Sequence, residues 1–279
     1  MDKLFFNDAI VPADKAAISF ADNSYLYGMG LFETMRAVNG QVFRLDDHLN
    51  RMIASAKALA IPFGYTPREI ESAIGQVLEA NGLKNARMRM TLSSGPLTQA
   101  ESLKGMLLIS ATQFTPYPKE YYDKGVRVAL TEFRQNPNDP TCGHKTTSYA
   151  ARLIALRHAH EKLAAESLWF TPDNYLAEGS ISNVFLVQDG VLVTPRLETP
   201  VLPGIARRTV IELAEKLGIK CAEKDLTIHD LLSAQEVFLT NVIMTILPVT
   251  AVESHTVSEG KVGAITKRLT EAYGGRLGE

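Results

Sequence analysis

Among the 279 residues, Lys145 has the clearest route to covalent chemistry. It stands in Gly143-His144-Lys145-Thr146-Thr147-Ser148-Tyr149, after an irregular loop containing Asn-Pro and Asp-Pro and before a stretch rich in alanine and leucine. A lysine at such a junction is ordinarily a solvated cation. A reactive one forms a Schiff base, and for that it needs a carbonyl cofactor, a partner for the cofactor ring and donors for any phosphate.

Three downstream segments match those needs. Glu178-Gly179-Ser180-Ile181-Ser182-Asn183-Val184-Phe185 sets an acid and small polar residues before a predicted strand. A carboxylate there can keep a pyridine nitrogen protonated, as a pyridoxal phosphate ring requires if it is to draw electrons. Leu202-Pro203-Gly204-Ile205-Ala206-Arg207 puts glycine just before a predicted helix. The first amides of such a helix, those of Ile205 and Ala206, form an anion site. Thr240-Asn241 closes an apolar strand, a position suited to further phosphate donors. Each segment also reads as an ordinary turn, cap or strand end. Their joint occurrence shifts the balance towards cofactor chemistry.

Other chemistries find less support. The six histidines include His158 and His160, two apart on a predicted helix and so on different faces, and neither Cys-x-x-Cys nor His-Glu-x-x-His occurs. No metal site is expected. Gly28-Met29-Gly30-Leu31-Phe32-Glu33 is only part of a dinucleotide fingerprint, and no Gly-x-x-x-x-Gly-Lys-Ser/Thr motif exists.

The elements that must position these residues follow from periodicity. Residues 44–60 read as an amphipathic helix with Leu45, Leu49, Met52, Ile53 and Ala56 on one stripe and His48, Arg51 and Ser55 on another face. A second helix should start after Thr66-Pro67 and end near Glu79. Strands are expected at Ala86–Ser93, Gly105–Ala111, Val126–Leu130 and Ser167–Phe170. The Asp189-Gly190 turn should join two more, Val184–Val187 and Val191–Val193, and others should lie at Val237–Thr240 and on to Val252. Helices should run from about Thr147 to Lys162 and from Pro203-Gly204 to near Gly218. The mixed order points to an α/β (α+β) protein of two lobes, 1–116 and 123–279, joined by a linker at 117–122 where Pro116 and Pro118 break the pattern.

Composition sets the outer bounds. A chain of this length, 46% hydrophobic, supports its own core without disulfides or metals, and two cysteines argue for a reducing, cytoplasmic setting. A net charge of −2 gives no footprint for nucleic acid, and no apolar run is long enough for a membrane helix. The N-terminus reaches Asn7-Asp8 before a signal-peptide core could develop.

Over nearly its whole length the sequence resembles the class IV (fold-type IV) pyridoxal-phosphate aminotransferases, a family that includes branched-chain and D-amino-acid aminotransferases and 4-amino-4-deoxychorismate lyase. The resemblance runs from Asp22-x-x-x-Leu26-Tyr27-Gly28-x-Gly30-x-Phe32-Glu33-Thr34 through His48-Leu49-x-Arg51, Lys145, Glu178–Phe185 and Gly204–Arg207 to Thr240-Asn241. It implies two α/β domains with the cofactor at their interface, in a homodimer. By the same resemblance Lys145 carries the cofactor as an aldimine and moves the substrate proton, and Glu178 pairs with the pyridine nitrogen. Arg51, the Ile205 and Ala206 amides, Thr240 and Asn241 hold the phosphate, and Tyr149 reaches the cofactor. The implied reaction passes an amino group from an amino acid or primary amine to a 2-oxo acid.

The resemblance leaves two reactions in view. Thr34 stands where branched-chain enzymes have glycine and matches a threonine implicated in the lyase, whereas Phe-Glu-Thr also occurs in transaminases. Ser93–Gln99 lacks the arginine and histidine that D-amino-acid enzymes place there. Phe32 and Arg36 are expected at the substrate, with Arg87 and Arg89 as further partners for its carboxylate. The transaminase reading is preferred, with the lyase as the alternative.

Overall fold

The computed structural model describes residues 2–96 and 105–278 and forms two compact units, one of residues up to Thr115 together with His144–Tyr149, the other of Pro116–Gly143 and residues from Ala150 onward. The expected Leu97-Thr98-Gln99 part of the substrate-side segment lies outside the described residues.

The first unit is a six-stranded antiparallel sheet with two helices on one face. Its strands are β1 (Lys3–Phe6), β2 (Ala9–Pro12), β3 (Gly30–Val38), β4 (Gln41–Val42), β5 (Ala86–Ser93) and β6 (Met106–Gln113), in the order β2-β1-β6-β5-β3-β4. Helix α1 (Asn23–Tyr27) is short; α2 (Leu45–Ala58) and α3 (Pro67–Ala80) supply the packing layer. Helix α3 begins as its sequence dictates, with Thr66 and Glu69 closing a capping box and Pro67 in the first turn. Alternation along the strands then sorts the side chains. Leu31, Met35 and Ala37 of β3 and Met88, Met90 and Leu92 of β5 bury against Leu49, Met52, Ile70, Ile74 and Val77. Phe32, Thr34 and Arg36, with Arg87 and Arg89, therefore face the opposite way.

Strand β3 has no counterpart among the expected elements. Its alternation is broken by a charged residue, Glu33, on the apolar face, so periodicity gives no clear strand signal there. The segment carrying Lys145 was likewise expected in the C-terminal half and partly in a helix. Instead it pairs with β3: the Phe32 N–H donates to the Lys145 carbonyl (2.8 Å) and the Thr147 N–H to the Gly30 carbonyl (2.9 Å). Nothing local announces such long-range pairing. It also explains Gly30, where a Cβ would stand 2.5 Å from Ser24 Oγ and 2.9 Å from Thr147 Oγ1. The partial glycine fingerprint is thus a crowded backbone crossing.

The second unit is a mixed nine-stranded sheet. Helix α4 (Lys119–Lys124) occupies the expected linker region and precedes β7 (Val126–Arg134). Next come α5 (Ala150–Glu161), β8 (Glu166–Phe170), β9 (Leu176–Gly179), β10 (Asn183–Gln188) and β11 (Val191–Pro195). The chain continues with α6 (Ile205–Lys216), β12 (Cys221–Lys224), α7 (Ile228–Ser233), β13 (Glu236–Asn241), β14 (Thr245–Val252), β15 (His255–Thr256) and α8 (Ala264–Leu277). The order is β12-β11-β10-β13-β14-β7-β8-β9, with β15 on β14. Asp189 and Gly190 both have positive φ, as the hairpin turn between β10 and β11 requires. Val184, Leu186, Val193, Val237, Leu239, Leu247 and Val249 form the core that holds these strands in register.

Candidate active site

In the first unit, the side chains expected at the reacting atoms gather on the sheet face turned away from α2 and α3. Lys145 is half-buried, with Nζ 4.4 Å from the centre of the Phe32 ring and 5.8 Å from that of Tyr149. Phe32 and Tyr149 meet edge to face at 5.2 Å. The Arg89 guanidinium also lies over Phe32, at 3.4 Å, and burial is the main cause that brings its pKa down to about 10. Arg36 lies over Phe114 at 3.9 Å, and in the β3–β5 register Arg36 faces Arg87 and Thr34 faces Arg89. Like charges set opposite one another across a ladder cost stability. Three guanidiniums thus stand on the same face of the sheet as Phe32 and Thr34.

Arg51 lies on the other side of the same strand. Its Nε and Nη2 donate to Glu33 Oε1 (2.8 Å) and Oε2 (2.6 Å), and His48 Nδ1 stands 2.7 Å from Glu33 Oε2. Burial alone would raise the Glu33 pKa; the Arg51 charge and the His48 ring outweigh it and hold the carboxyl at about 2. Burial lowers the His48 pKa, with Arg51 and Lys145 adding to the effect against Glu33. His48 is therefore the neutral donor at Nδ1, and its Nε2 is buried without a partner. Phe-Glu-Thr and His-Leu-x-Arg are thus two halves of one network. At its centre is Glu33, whose one signal in the sequence is an acid on an otherwise apolar strand face.

In the second unit, the remaining predicted residues share one end of the sheet. Glu178 is next to last in β9 and is buried; Oε1 accepts from Arg152 Nη2 (2.6 Å) and Gln135 Nε2 (3.1 Å), Oε2 from the Leu202 N–H (2.9 Å) and Asn183 Nδ2 (3.3 Å). Leu202 is two residues before Gly204, the N-cap of α6, so acid and helix terminus are locked together. No side chain caps that terminus, Ile205 and Ala206 are buried, and the first helical bond to the Gly204 carbonyl comes from Arg208. The amides of the first turn are left as orphan donors. A Cβ at Gly204 would stand 2.0 Å from Asn183 Oδ1, so only glycine keeps this approach open. Thr240 lies opposite Asn183 in the β10–β13 register and donates from Oγ1 to the Thr245 carbonyl (2.5 Å). Asn241 donates to the Ile181 carbonyl (3.0 Å) and accepts from the Ile243 and Met244 amides, so its side chain braces two turns.

A second buried acid went unread in the sequence. Glu166 accepts from the Ser167 (2.8 Å), Ser180 (3.0 Å) and Ile181 (3.1 Å) amides and from Ser182 Oγ (2.8 Å), and so shapes the turn between Glu178 and Asn183. Burial raises its pKa against these four donors. Glu166→Gln offers one acceptor oxygen where two now serve four donors, and should cost about 2 kcal/mol in urea unfolding through unsatisfied buried amides. A loss below roughly 0.5 kcal/mol would show that water replaces the carboxylate at no cost.

Residues 30–252 match the class IV aminotransferase family, and the chain belongs to it. It is 30% identical to a branched-chain amino acid aminotransferase of Pseudomonas aeruginosa, across 97% of this chain and 91% of that one. It is 27% identical to a D-alanine aminotransferase of Staphylococcus epidermidis, across 98% and 97%. Its structure superposes on the Escherichia coli branched-chain amino acid aminotransferase with a TM-score of 0.93 and 29% identity, covering 98% of this chain and 94% of that one. The fold is fold-type IV, and the protein is an aminotransferase that works with pyridoxal 5'-phosphate.

The donor set fits that cofactor. A buried carboxylate suits a ring nitrogen, an uncapped and buried helix terminus suits a phosphate, and a lysine held against an aromatic ring suits an aldehyde. Among the described residues no group of histidine, cysteine, aspartate or glutamate could hold a metal ion, and no helix is long and apolar enough to cross a membrane.

Proposed function

We propose that Lys145 is the residue that holds pyridoxal phosphate covalently, with Glu178 at the ring nitrogen and the Ile205 and Ala206 amides, Thr240 and Arg51 at the phosphate. One observation carries this reading: the Leu202 N–H and Asn183 join the buried Glu178 to the glycine-capped start of α6, setting a carboxylate beside an anion site. When bound, the cofactor supplies an electrophilic carbon and a ring that accepts electrons. Lys145 takes the proton from the substrate Cα in the donor half-reaction and delivers one to Cα of the acceptor in the reverse half-reaction. Phe32 and Tyr149 flank its amine and limit water around it. Arg36, with Arg89 and Arg87, receives the carboxylate of the amino acid or 2-oxo acid, and Thr34 lies between them on the same face.

A panel of L-amino acids, D-amino acids and (R)-amines tests the reaction. Mixed one at a time with the cofactor-loaded enzyme, at least one donor should bleach the visible band and release its oxo product without an acceptor. No conversion by any donor, together with release of p-aminobenzoate from aminodeoxychorismate, would replace the transaminase by the lyase.

The working form in this reading is a homodimer in the cytoplasm. Phe20, Tyr25 and Tyr27 are 84, 73 and 66% exposed, and Ile18, Leu26 and Met29 extend the same apolar stretch. An exposed patch of this kind marks an interface. The two cysteines are unpaired, as a reducing compartment allows. Sedimentation equilibrium should give twice the 30.6 kDa chain mass, and Phe20→Lys should shift the balance to monomer.

A further inference from the structure

Arg152 has no part in the assignment above, yet it is the cation on the buried Glu178. Its Nη2 reaches Glu178 Oε1 at 2.6 Å and Gln135 Oε1 at 3.1 Å, while Nη1 donates to the Gly179 (3.0 Å) and Ser180 (3.4 Å) carbonyls. The guanidinium also stands 5.4 Å from the centre of the Trp169 ring, whose Nε1 donates to Ser180 Oγ (2.9 Å). One planar fork therefore spans the acid and the two carbonyls that follow it in the chain. The other partners of Glu178 (Gln135, Asn183 and the Leu202 amide) are neutral donors. A carboxylate buried this deeply loses its hydration, and the single charge-assisted hydrogen bond from Arg152 Nη2 to Oε1 compensates it better than a neutral donor would.

We infer that Arg152 is a positioning residue for the cofactor: it holds the Glu178 carboxylate aimed, and so sets how tightly pyridoxal phosphate is held and how strongly its ring draws electrons. The inference rests on Glu178 serving the ring nitrogen. Arg152 acts through that carboxylate and touches no substrate, so the effect belongs in cofactor affinity and kcat and not in the KM for the amino donor.

A double-mutant cycle on the full-length enzyme tests it, with the Kd of pyridoxal phosphate from equilibrium dialysis and the position of the visible band as readouts. Arg152→Gln keeps a donor but loses the charge; it should weaken cofactor binding on the order of tenfold or more and shift the band. Arg152→Lys keeps the charge and should recover most of that affinity. In a Glu178→Gln background, Arg152→Gln should add almost nothing, because the group it acts on is gone. Unchanged affinity and spectrum in Arg152→Gln would overturn the proposal. So would a loss that adds fully to that of Glu178→Gln, or one that Arg152→Lys does not relieve, since either marks a role in folding alone. If Glu178→Gln itself binds the cofactor like the parent, the assignment of Glu178 has failed and the inference falls with it. Thermal melts on all variants separate misfolding from the specific effect.

Discussion

Replacing Lys145 by alanine should abolish the visible absorption band of the bound cofactor and lower turnover by at least about 10³-fold, the range lost when a covalent group that also moves a proton is removed. The fold should survive. What anchors this segment does not involve the lysine side chain: the Phe32 N–H on the Lys145 carbonyl, the Thr147 N–H on the Gly30 carbonyl, and Thr147 Oγ1 on the Gly28 carbonyl at 2.9 Å. The lysine side chain is half-buried and lies near the Phe32 and Tyr149 rings outside the buried apolar cluster, so its loss opens no core cavity. Lys145→Arg should be equally inactive, because a guanidinium is neither a nucleophile nor a base near neutral pH. Absorbance, turnover and a thermal melt on the same preparation check all three statements. Residual activity within tenfold of the parent would assign the chemistry elsewhere.

The largest effect on stability is expected at Glu33. Glu33→Gln leaves the Arg51 charge, whose side chain is only 9% exposed, without its counter-ion and should cost about 3–5 kcal/mol. The pH dependence carries a second signature. The Glu33 carboxyl is depressed from 4.5 to about 2, so the unfolded chain takes up a proton before the folded one does. Its contribution is complete above pH 4.5 and disappears as the pH falls towards 2, a swing of about 3 kcal/mol at 1.36 kcal/mol per pH unit. His48 acts in the same direction from higher pH: its folded pKa lies below 6.5, so stability starts to fall as the solution drops below 6.5. Urea unfolding at a series of pH values should therefore show two stages of acid destabilisation in the parent. In Glu33→Gln the stage between pH 4.5 and 2 should be shallower by about that amount. A variant with unchanged stability at pH 7 and the same acid limb would show that the network is not a structural anchor. Because Glu33 also orients Arg51, the variant should release pyridoxal phosphate more readily than the parent.

The parts of this protein that were legible in the sequence are those whose cause is local. Helix α3 announces itself through Thr66, Pro67 and Glu69, and the β10–β11 hairpin through Asp189-Gly190. Helix α2 was readable from its stripe of Leu45, Leu49, Met52 and Ala56. Glu178 and the start of α6 were legible as motifs, since a glycine before a helix and an acid before a strand are both short patterns. Strand β3 and the attachment of Lys145 were not. The first hides behind an acid on its apolar face, and the second is a pairing between residues more than a hundred positions apart. Gln135, Arg152 and Glu166 were illegible for the same reason: each is defined by a partner supplied by another element. The tertiary fold decides which polar residues are buried together, and no period of 2 or 3.6 encodes that.

The central claim is that Lys145 carries the cofactor, and reduction tests it most directly. Borohydride treatment of the cofactor-loaded enzyme, followed by peptide mass mapping, should place a pyridoxyl group on Lys145. The mark should be lost when an amino donor converts the cofactor before reduction. A pyridoxyl group on any other lysine, or none on a preparation that shows the visible band, would contradict the account.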